Sequence, residues 1–273
     1  MSILPKFSKP LGVVFSLIAI ASYSQNKTYS IAFGSCDNQR LNNELWKSID
    51  DNHPVAWIWG GDDVYSDTED MKELKDNYAI QKNDSDYLEF ISNKQILGTW
   101  DDHDYGLNDG GEEYPYKRES QQLLFDFLGT PNDAPERFRD GVYNSKVIDI
   151  EGNKIKIIIL DTRFFRTAVT KSVNSKKRLQ PNPYGQGTIL GEAQWKWLET
   201  ELTSSDAQFN VIVSSIQLLS DKHGFECWGN FPHEIDKLEK LVATSKAKGT
   251  FVISGDRHIA TFSSKKVTNL NYP

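Results

Sequence analysis

Short apolar runs alternate along the chain with segments whose apolar residues recur at helical spacing. The runs are rich in β-branched and aromatic residues, and they predict strands over residues 29–33, 55–59, 95–100, 142–150, 155–160, 209–216 and 250–253. The helical spacing predicts helices around residues 41–49 and over 69–80, 118–128, 191–202 and 233–245. This alternation predicts an α/β layered fold, and a hairpin turn at Glu151-Gly152-Asn153 makes its sheets mixed rather than purely parallel.

Five of the predicted strands are followed immediately by residues whose side chains can bind metals. The five blocks are Gly34-Ser35-Cys36-Asp37, Gly61-Asp62-Asp63-Val64-Tyr65, Trp100-Asp101-Asp102-His103-Asp104, Leu160-Asp161-Thr162-Arg163 and Gly255-Asp256-Arg257-His258. Sites in α/β sheets form just beyond the carboxyl ends of the strands. The carboxylates of Asp62, Asp102 and Asp256 would repel one another in a shared pocket unless cations neutralised them. Their mixture with thiol, phenol and imidazole groups favours a metal centre over acid–base chemistry alone.

In this order and spacing, the blocks resemble the metallophosphoesterases, and within them the alkaline phosphatase D-like branch. The resemblance covers about residues 29–262. It implies a four-layer αββα sandwich with mixed β-sheets, and hydrolysis of phosphate monoesters or diesters by a metal-activated water. It also implies a metal pair, in which Ca²⁺ or another divalent cation lies beside Fe³⁺. The implied ligands are Cys36, Asp62, Tyr65, Asp256 and His258 for Fe³⁺, and Asp62 and Asp102 for the second cation.

Three further residues are candidates for catalysis. His103 follows a proposed ligand, so it could donate a proton to the leaving oxygen or bind a phosphate oxygen. Arg163 and Arg257 are candidates to neutralise the phosphoryl group. Structural alternatives stay open: His103 could orient its neighbours, and Arg163 could form a salt bridge within the core. Asp161 is open between a calcium ligand and a hydrogen-bond acceptor at a strand end.

Some ligand assignments also have structural alternatives. Cys36 could instead form a disulfide with Cys227, as is common in exported proteins. Tyr65 could be an ordinary packed tyrosine. Asp101 and Asp104 are better interpreted as capping or supporting groups than as metal ligands.

The chain departs from the family pattern in two ways, and the first leaves the second cation's ligands incomplete. The superfamily commonly places a metal-binding histidine after the strand equivalent to residues 211–214, whereas this chain has Ser214-Ser215-Ile216-Gln217 there. His223 is close in sequence, but a loop would have to return it to the site. Only 15 residues follow His258, so the domain predicted over residues 25–273 is either naturally short or truncated at its C-terminus.

The first 24 residues predict a signal peptide. Lys6 and Lys9 precede an uncharged apolar run over residues 11–21, and small residues then surround a cleavage point before Gln25. The run is shorter than the roughly 20 residues that span a bilayer, which argues against a stable membrane anchor. We therefore expect a secreted or periplasmic protein.

The net charge of −7 argues against nucleic acid as a partner, other than as a substrate. We expect a monomer that acts on phosphate mono- or diesters. Two other classes stay open: an exported adhesive or binding protein with structural calcium, and a phosphoesterase that has lost its activity. Cys36 and Tyr65 count against the first, because structural calcium sites take oxygen ligands and have no use for a thiolate.

Overall fold

The computed structural model describes residues 28–173, 176–220 and 222–266. The predicted signal peptide, residues 1–24, lies outside the described residues. The strands are β1 (Ser30–Gly34), β2 (Pro54–Gly60), β3 (Gln95–Thr99), β4 (Asn144–Ile150), β5 (Asn153–Ile159), β6 (Thr170–Lys171), β7 (Leu179–Gln180), β8 (Phe209–Ser214) and β9 (Thr250–Ser254). The helices are α1 (Leu45–Asp50), α2 (Met71–Lys82), α3 (Ser85–Ile91), α4 (Asp102–Tyr105), α5 (Lys117–Leu128), α6 (Gly191–Thr203) and α7 (Pro232–Ser245).

Two main sheets carry the fold. The first is parallel, in the order β1-β2-β3. The second has the order β4-β5-β8-β9, in which β4 is antiparallel to β5 and the other neighbours are parallel. The predicted hairpin joins β4 to β5, and its turn residues Glu151 and Gly152 have φ of 53° and 86°, as a tight two-residue hairpin turn requires. The sheet is therefore mixed, as the sequence predicts.

Alternation along the strands builds four layers. Trp57 and Trp59 of β2 pack in an aromatic core with residues of α1, α2, α3 and α5. Ala56 and Ile58, on the opposite face of β2, pack against residues of the second sheet. The outer face of that sheet, which includes Ile158, packs against α6 and α7. The expected αββα arrangement is confirmed, because successive strand residues point to opposite faces and both faces of each sheet are buried.

Helices α3 and α4 were not predicted from the sequence. Helix α3 is short and buries only Tyr87 and Phe90, which is too little repetition to reveal a helical period. Helix α4 lies within the block at the end of β3 and ends at Gly106, whose φ of 121° suits glycine. Within the described residues, no helix is both long and apolar enough to cross a membrane.

Candidate metal centre

Cys36 and Asp62 meet at the neighbouring ends of β1 and β2. The backbone N–H groups of Cys36 and Asp37 donate to the carbonyls of Gly61 and Asp62 over 3.2 and 3.1 Å, so the two chains stay paired beyond the sheet. The Sγ of Cys36 lies 3.5 Å from Oδ2 of Asp62. Both cysteines are among the described residues and no disulfide joins them, so the alternative pairing of Cys36 with Cys227 is wrong.

The backbone at these strand ends adopts a conformation that is uncommon for residues with a side chain. Cys36 and Asp62 have φ of 62° and 53°, and Asp256 and His258 after β9 have φ of 74° and 50°. Such left-handed positions carry a conformational cost and are concentrated at functional sites. Here the four left-handed positions coincide with four of the proposed metal ligands.

Tyr65 and His258 join the same group. The phenol oxygen of Tyr65 lies 2.9 Å from Nε2 of His258. Gln39 holds the Tyr65 backbone from both sides, because its amide accepts from the Tyr65 N–H over 2.8 Å and donates to the Tyr65 carbonyl over 2.9 Å. One ligand atom each from Cys36, Asp62 and His258 lies within 4.8 Å of the others, a spacing that suits one shared cation.

Asp62 also belongs to a second group, with Asp102 and His103 of α4. One ligand atom from each of these three residues lies within 4.8 Å of the others, and the His103 N–H donates to Oδ1 of Asp62 over 3.3 Å. A carboxylate has two oxygens, so Asp62 could bridge two cations. The sequence left the second cation without a histidine, and the structure offers His103 there.

Asp101 and Asp104 hold residues of the site in place through hydrogen bonds. Asp104 accepts hydrogen bonds from the backbone N–H groups of Asp62, Asp63 and Asp101 over 3.3, 3.2 and 2.7 Å. Asp101 accepts from the Arg163 Nε over 2.7 Å. Both residues are fully buried, and these contacts match the supporting role predicted for them.

Arg163 is buried between two carboxylates. Its guanidinium pairs with Asp101 and, over 2.6 Å, with Glu226, and only 1% of its surface is exposed. This geometry favours the core salt bridge among the alternatives for Arg163. Asp161 accepts from the Trp100 indole and from the backbone N–H groups of Val142, Arg163 and Phe164, each over 2.9 Å, which favours the hydrogen-bond acceptor.

Asp256 and Arg257 follow β9. Among the described residues, the buried Oδ2 of Asp256 has no hydrogen-bond partner, as expected of an oxygen reserved for a cation. Arg257 lies 3.9 Å from the other Asp256 oxygen, and its guanidinium stacks 4.1 Å above the ring of Phe225. Arg257 is partly exposed, so it remains accessible to an anionic substrate.

The electrostatics of the proposed ligands fit a cation. Burial, reinforced by nearby carboxylates, raises the pKa of Asp62 well above its usual range. Burial and the Asp62 charge also raise the pKa values of the Cys36 thiol and the Tyr65 phenol. Burial raises the pKa of Asp256 to about 7. A bound cation would favour the deprotonated form of every one of these groups, so the donor set fits a metal.

Asp102 and His103 behave differently. Burial opposes ionisation of Asp102, but the Arg163 charge and the Asp109 N–H lower its pKa. Burial also opposes the charged form of His103, but the hydrogen bond to Asp67 and the Asp102 charge raise its pKa to about 9. Both groups are therefore held in their charged forms near neutral pH before any cation binds.

Sequence reasoning missed the residues that hold Asp102 and His103. Asp67 Oδ2 lies 2.7 Å from the His103 Nδ1. The Asn108 amide and the Asp109 N–H donate to Oδ2 of Asp102 over 2.7 and 2.8 Å. The only sequence signal was the presence of polar residues shortly after the second and third ligand blocks, which does not reveal their contacts.

A cavity of about 760 Å³ adjoins the Cys36 side of the centre. Cys36, Tyr65 and His258 line it, together with Trp46 and residues of β1 and β2. The lining also includes the exposed apolar side chains of Leu41 and Leu45. The metal-ligand cluster thus opens directly into a cavity with an apolar wall.

Fold and site together define a layered α/β protein with clustered metal-ligand side chains at its strand ends. The family model of the PhoD-like phosphatases matches residues 148–270. Alkaline phosphatase D of Bacillus subtilis (strain 168) is 24% identical over 124 residues, which cover 42% of this chain and 21% of that protein. A solved structure of PhoD matches with a TM-score of 0.68 at 18% identity, covering 84% of this chain and 51% of its own.

The resemblance inferred from the motifs is therefore confirmed: the chain is similar to the PhoD-like phosphatases in part of its sequence and to PhoD in its fold. It spans about one fifth of the length of alkaline phosphatase D and about half of the solved PhoD chain. The family match begins after the first three ligand blocks. Assignments in those blocks accordingly rest on the geometry of Cys36, Asp62, Tyr65, Asp102 and His103.

Proposed function

We propose that this chain belongs to an exported enzyme that hydrolyses phosphate mono- or diesters at a two-metal centre. Fe³⁺ is assigned to Cys36, Asp62, Tyr65, Asp256 and His258, and Ca²⁺ or another divalent cation to Asp62 and Asp102. The similarity to PhoD-like phosphatases supports the reaction class. The apolar run and flanking lysines of residues 1–24 support export.

One observation carries the proposal: two groups of possible metal ligands share Asp62. Cys36, Asp62 and His258 form one, and Asp62, Asp102 and His103 form the other. Carboxylates gathered in this way need a counter-charge, and burial, reinforced by the neighbouring carboxylates, raises the pKa of Asp62 well above its usual range. A pair of cations would supply that counter-charge.

The donor types favour different ions at the two positions. A phenolate, a thiolate and carboxylates around the Cys36 group are anionic donors suited to Fe³⁺. Oxygen donors from Asp62 and Asp102 suit a hard divalent cation such as Ca²⁺. His103 can either join this second group or stay free to act on the substrate.

The protein's own residues can complete the chemistry of ester hydrolysis. When bound, the cations would polarise the phosphoryl group and make a water more acidic. The contacts of the His103 ring with Asp67 and with the Tyr65 ring, whose centroid lies 4.3 Å away, support a role for His103 as the proton donor to the leaving oxygen. The partial exposure of Arg257 supports a role in binding a phosphate oxygen, and the burial of Arg163 beside Asp101 supports an orienting role.

The adjoining cavity would receive the organic group of the ester. A substrate phosphorus near Cys36, Tyr65 and His258 would leave its substituent facing the apolar wall with Leu41 and Leu45. Phosphate monoesters and diesters both carry such an organic group.

Metal analysis and turnover of the purified mature protein test the proposal together. We expect iron in the protein, a visible absorption from the Tyr65 phenolate, and hydrolysis of p-nitrophenyl phosphate or its bis-ester that is lost on chelation. Asp62→Asn should lower kcat/KM by roughly three orders of magnitude, equivalent to about 4 kcal/mol of transition-state stabilisation. Asp86→Asn, an exposed acid in the first turn of α3, is the matched control.

The other function classes predict different results. A calcium-binding adhesive protein would show calcium-dependent melting with neither iron nor turnover. A phosphoesterase that has lost its activity would bind metal, and Asp62→Asn would then change metal content without changing activity. Full activity in metal-free protein would refute the two-metal proposal outright.

A further inference from the structure

The carboxylate of Asp102 is fixed through a single oxygen. The Asn108 side-chain amide donates to Oδ2 over 2.7 Å, and the Asp109 N–H donates to the same oxygen over 2.8 Å. Two donors on one oxygen set the rotation of the carboxylate and leave Oδ1 for another partner. Whatever holds Asn108 and Asp109 in place therefore also orients Asp102.

Arg178 contacts both Asn108 and Asp109. Its guanidinium pairs with the Asp109 carboxylate, and Nη2 donates to Oδ1 of Asn108 over 3.3 Å. The contact with Asn108 selects one orientation of its amide. In the flipped orientation the amide oxygen would face the Asp102 carboxylate, and the NH₂ group would face the guanidinium, so both contacts would be repulsive.

The backbone of Arg178 is anchored, although its side chain is half exposed. The Arg178 N–H donates to the Gly224 carbonyl over 3.0 Å, and its own carbonyl accepts from the Ser172 N–H over 2.9 Å. Arg178 directly precedes β7, which pairs with β6. A guanidinium on a fixed backbone is suited to hold the loop that carries Asn108 and Asp109 in one position.

We propose that Arg178 is a positioning residue for the second cation, acting through Asn108 and Asp109 on Asp102. By engaging Oδ2, these contacts would leave Oδ1 available to the second cation, which the proposal assigns to Asp62 and Asp102. The inference rests on the proposed two-metal centre. It assigns Arg178 a role in cation affinity rather than in the chemical step, since Asn108 and Asp109 stand between it and Asp102.

Calcium binding to the iron-loaded, full-length mature protein tests this role. Calorimetric titration with Ca²⁺ would compare wild type with Arg178→Gln, Arg178→Lys and Asn108→Ala, and with the double variant that combines Arg178→Gln and Asn108→Ala. Lys171→Gln is the matched control, because it removes one positive charge from an exposed side chain on the neighbouring strand β6. The visible absorption of the iron site is recorded for every variant to confirm that this site is intact.

We expect Arg178→Gln to weaken Ca²⁺ binding roughly 10-fold or more, the usual effect of removing a group that orients a metal ligand. Lysine keeps the positive charge, but its side chain is shorter and lacks the guanidinium whose Nη2 contacts both partners, so Arg178→Lys should restore only part of the affinity. The double variant should lose less affinity than the two single losses combined, because Arg178 acts partly through Asn108 and partly through Asp109. The iron absorption should not change.

Three outcomes would overturn the assignment. Arg178→Gln could bind Ca²⁺ with the same affinity as Lys171→Gln, the affinity losses of the two single variants could add fully in the double variant, or wild type could fail to bind Ca²⁺. Binding is measured without turnover, so failure of the hydrolase proposal has a separate signature. If the protein binds Ca²⁺ in an Arg178-dependent way but cleaves no phosphoester, the positioning role of Arg178 is supported and the proposed hydrolase activity is refuted.

Discussion

Oδ2 of Asp67 lies 2.7 Å from Nδ1 of His103, and this ion pair ties the loop after β2 to helix α4. Two backbone contacts reinforce it, because the N–H groups of Ser66 and Asp67 donate to the His103 carbonyl over 3.2 and 3.1 Å. The pair fixes which imidazole nitrogen remains for chemistry: Nδ1 is engaged, so Nε2 is the one left to a substrate or cation. The loop therefore orients the catalytic candidate from outside the ligand blocks.

Asp67→Ala should reduce turnover through His103. We expect kcat to fall roughly 10-fold to 100-fold with a smaller change in KM, because the imidazole loses its orienting partner but the substrate keeps its other contacts. Steady-state kinetics would measure the effect, with Glu69→Ala as the control in a nearby exposed acid. In a His103→Asn background, Asp67→Ala should have no further effect; an equal loss in both backgrounds would contradict the assignment.

Gly61→Ala should disrupt the centre by steric contact. A Cβ at Gly61 would lie 2.6 Å from the Asp101 Cβ and 2.7 Å from the Asp101 nitrogen, and the φ of 95° is itself unfavourable for alanine. Gly152→Ala separates the two effects, because Gly152 has a similar φ of 86° with nothing within 4 Å. We expect a loss of about 1 kcal/mol for Gly152→Ala and about 3 kcal/mol or more for Gly61→Ala in urea unfolding. Equal losses would show that Asp101 yields to the added methyl group.

Much of the fold could be predicted from the sequence, because the central strands are buried on both faces. Residues 55–59 form a continuous apolar run, and residues 155–160 form one that only Lys156 interrupts; all of the predicted strands are present. Their ends could be predicted for the same reason: the apolar run stops where the chain leaves the sheet. Cys36 and Asp62 were therefore expected to lie together, and they do.

The contacts between loops could not be predicted, because they depend on how the chain returns after each strand. Asp67, in the loop after β2, and His103, in α4, are 36 positions apart in sequence but lie in contact. Arginine commonly binds phosphate, so the sequence made Arg163 a candidate for that role. Only its burial between Asp101 and Glu226 indicates a structural role. Sequence patterns report which face is buried, but not which charged group lies opposite another.

Arg163→Met should lower stability more than it lowers the rate constant of the folded enzyme. The change leaves the Asp101 and Glu226 carboxylates buried with less counter-charge, and breaking one partner of a buried pair costs about 3–5 kcal/mol. Arg118→Met, at an exposed pair with Asp140, should cost less than about 1 kcal/mol. Urea unfolding gives both values. A stable Arg163→Met protein with a large loss of kcat would instead make Arg163 part of the reaction.

Metal-free protein should lose stability as the pH rises from 5 to 8. Burial raises the pKa values of Asp104 and Asp256 from 3.8 to about 7, so the folded state holds protons that the unfolded chain has released. The stability these groups contribute is complete below their unfolded pKa and is lost as the pH rises through about 7. Melting temperatures of chelated protein should show this fall, and Asp256→Asn should flatten it. Bound metal should reduce this fall, because it would hold Asp256 deprotonated, and parallel curves with and without metal would contradict the prediction.

Leu45→Glu should weaken binding of phosphoryl ligands that carry an aromatic group. Leu45 is 63% exposed and lines the cavity that opens beside Cys36, Tyr65 and His258. A phenyl ring that buries on the order of 100 Å² of apolar surface gains about 2.5 kcal/mol. Phenylphosphonate should therefore inhibit the metal-loaded wild type more than 10-fold better than methylphosphonate.

Leu45→Glu should reduce that preference severalfold while leaving methylphosphonate inhibition unchanged, because the smaller ligand touches only the metal end of the cavity. Leu88→Glu, at an exposed leucine on α3, is the control for a new charge on an apolar surface position. Inhibition constants for the two phosphonates on all three proteins decide the matter. If wild type binds both phosphonates equally, the organic group of the substrate lies elsewhere, and the specificity of the centre is set by the Arg257 side instead.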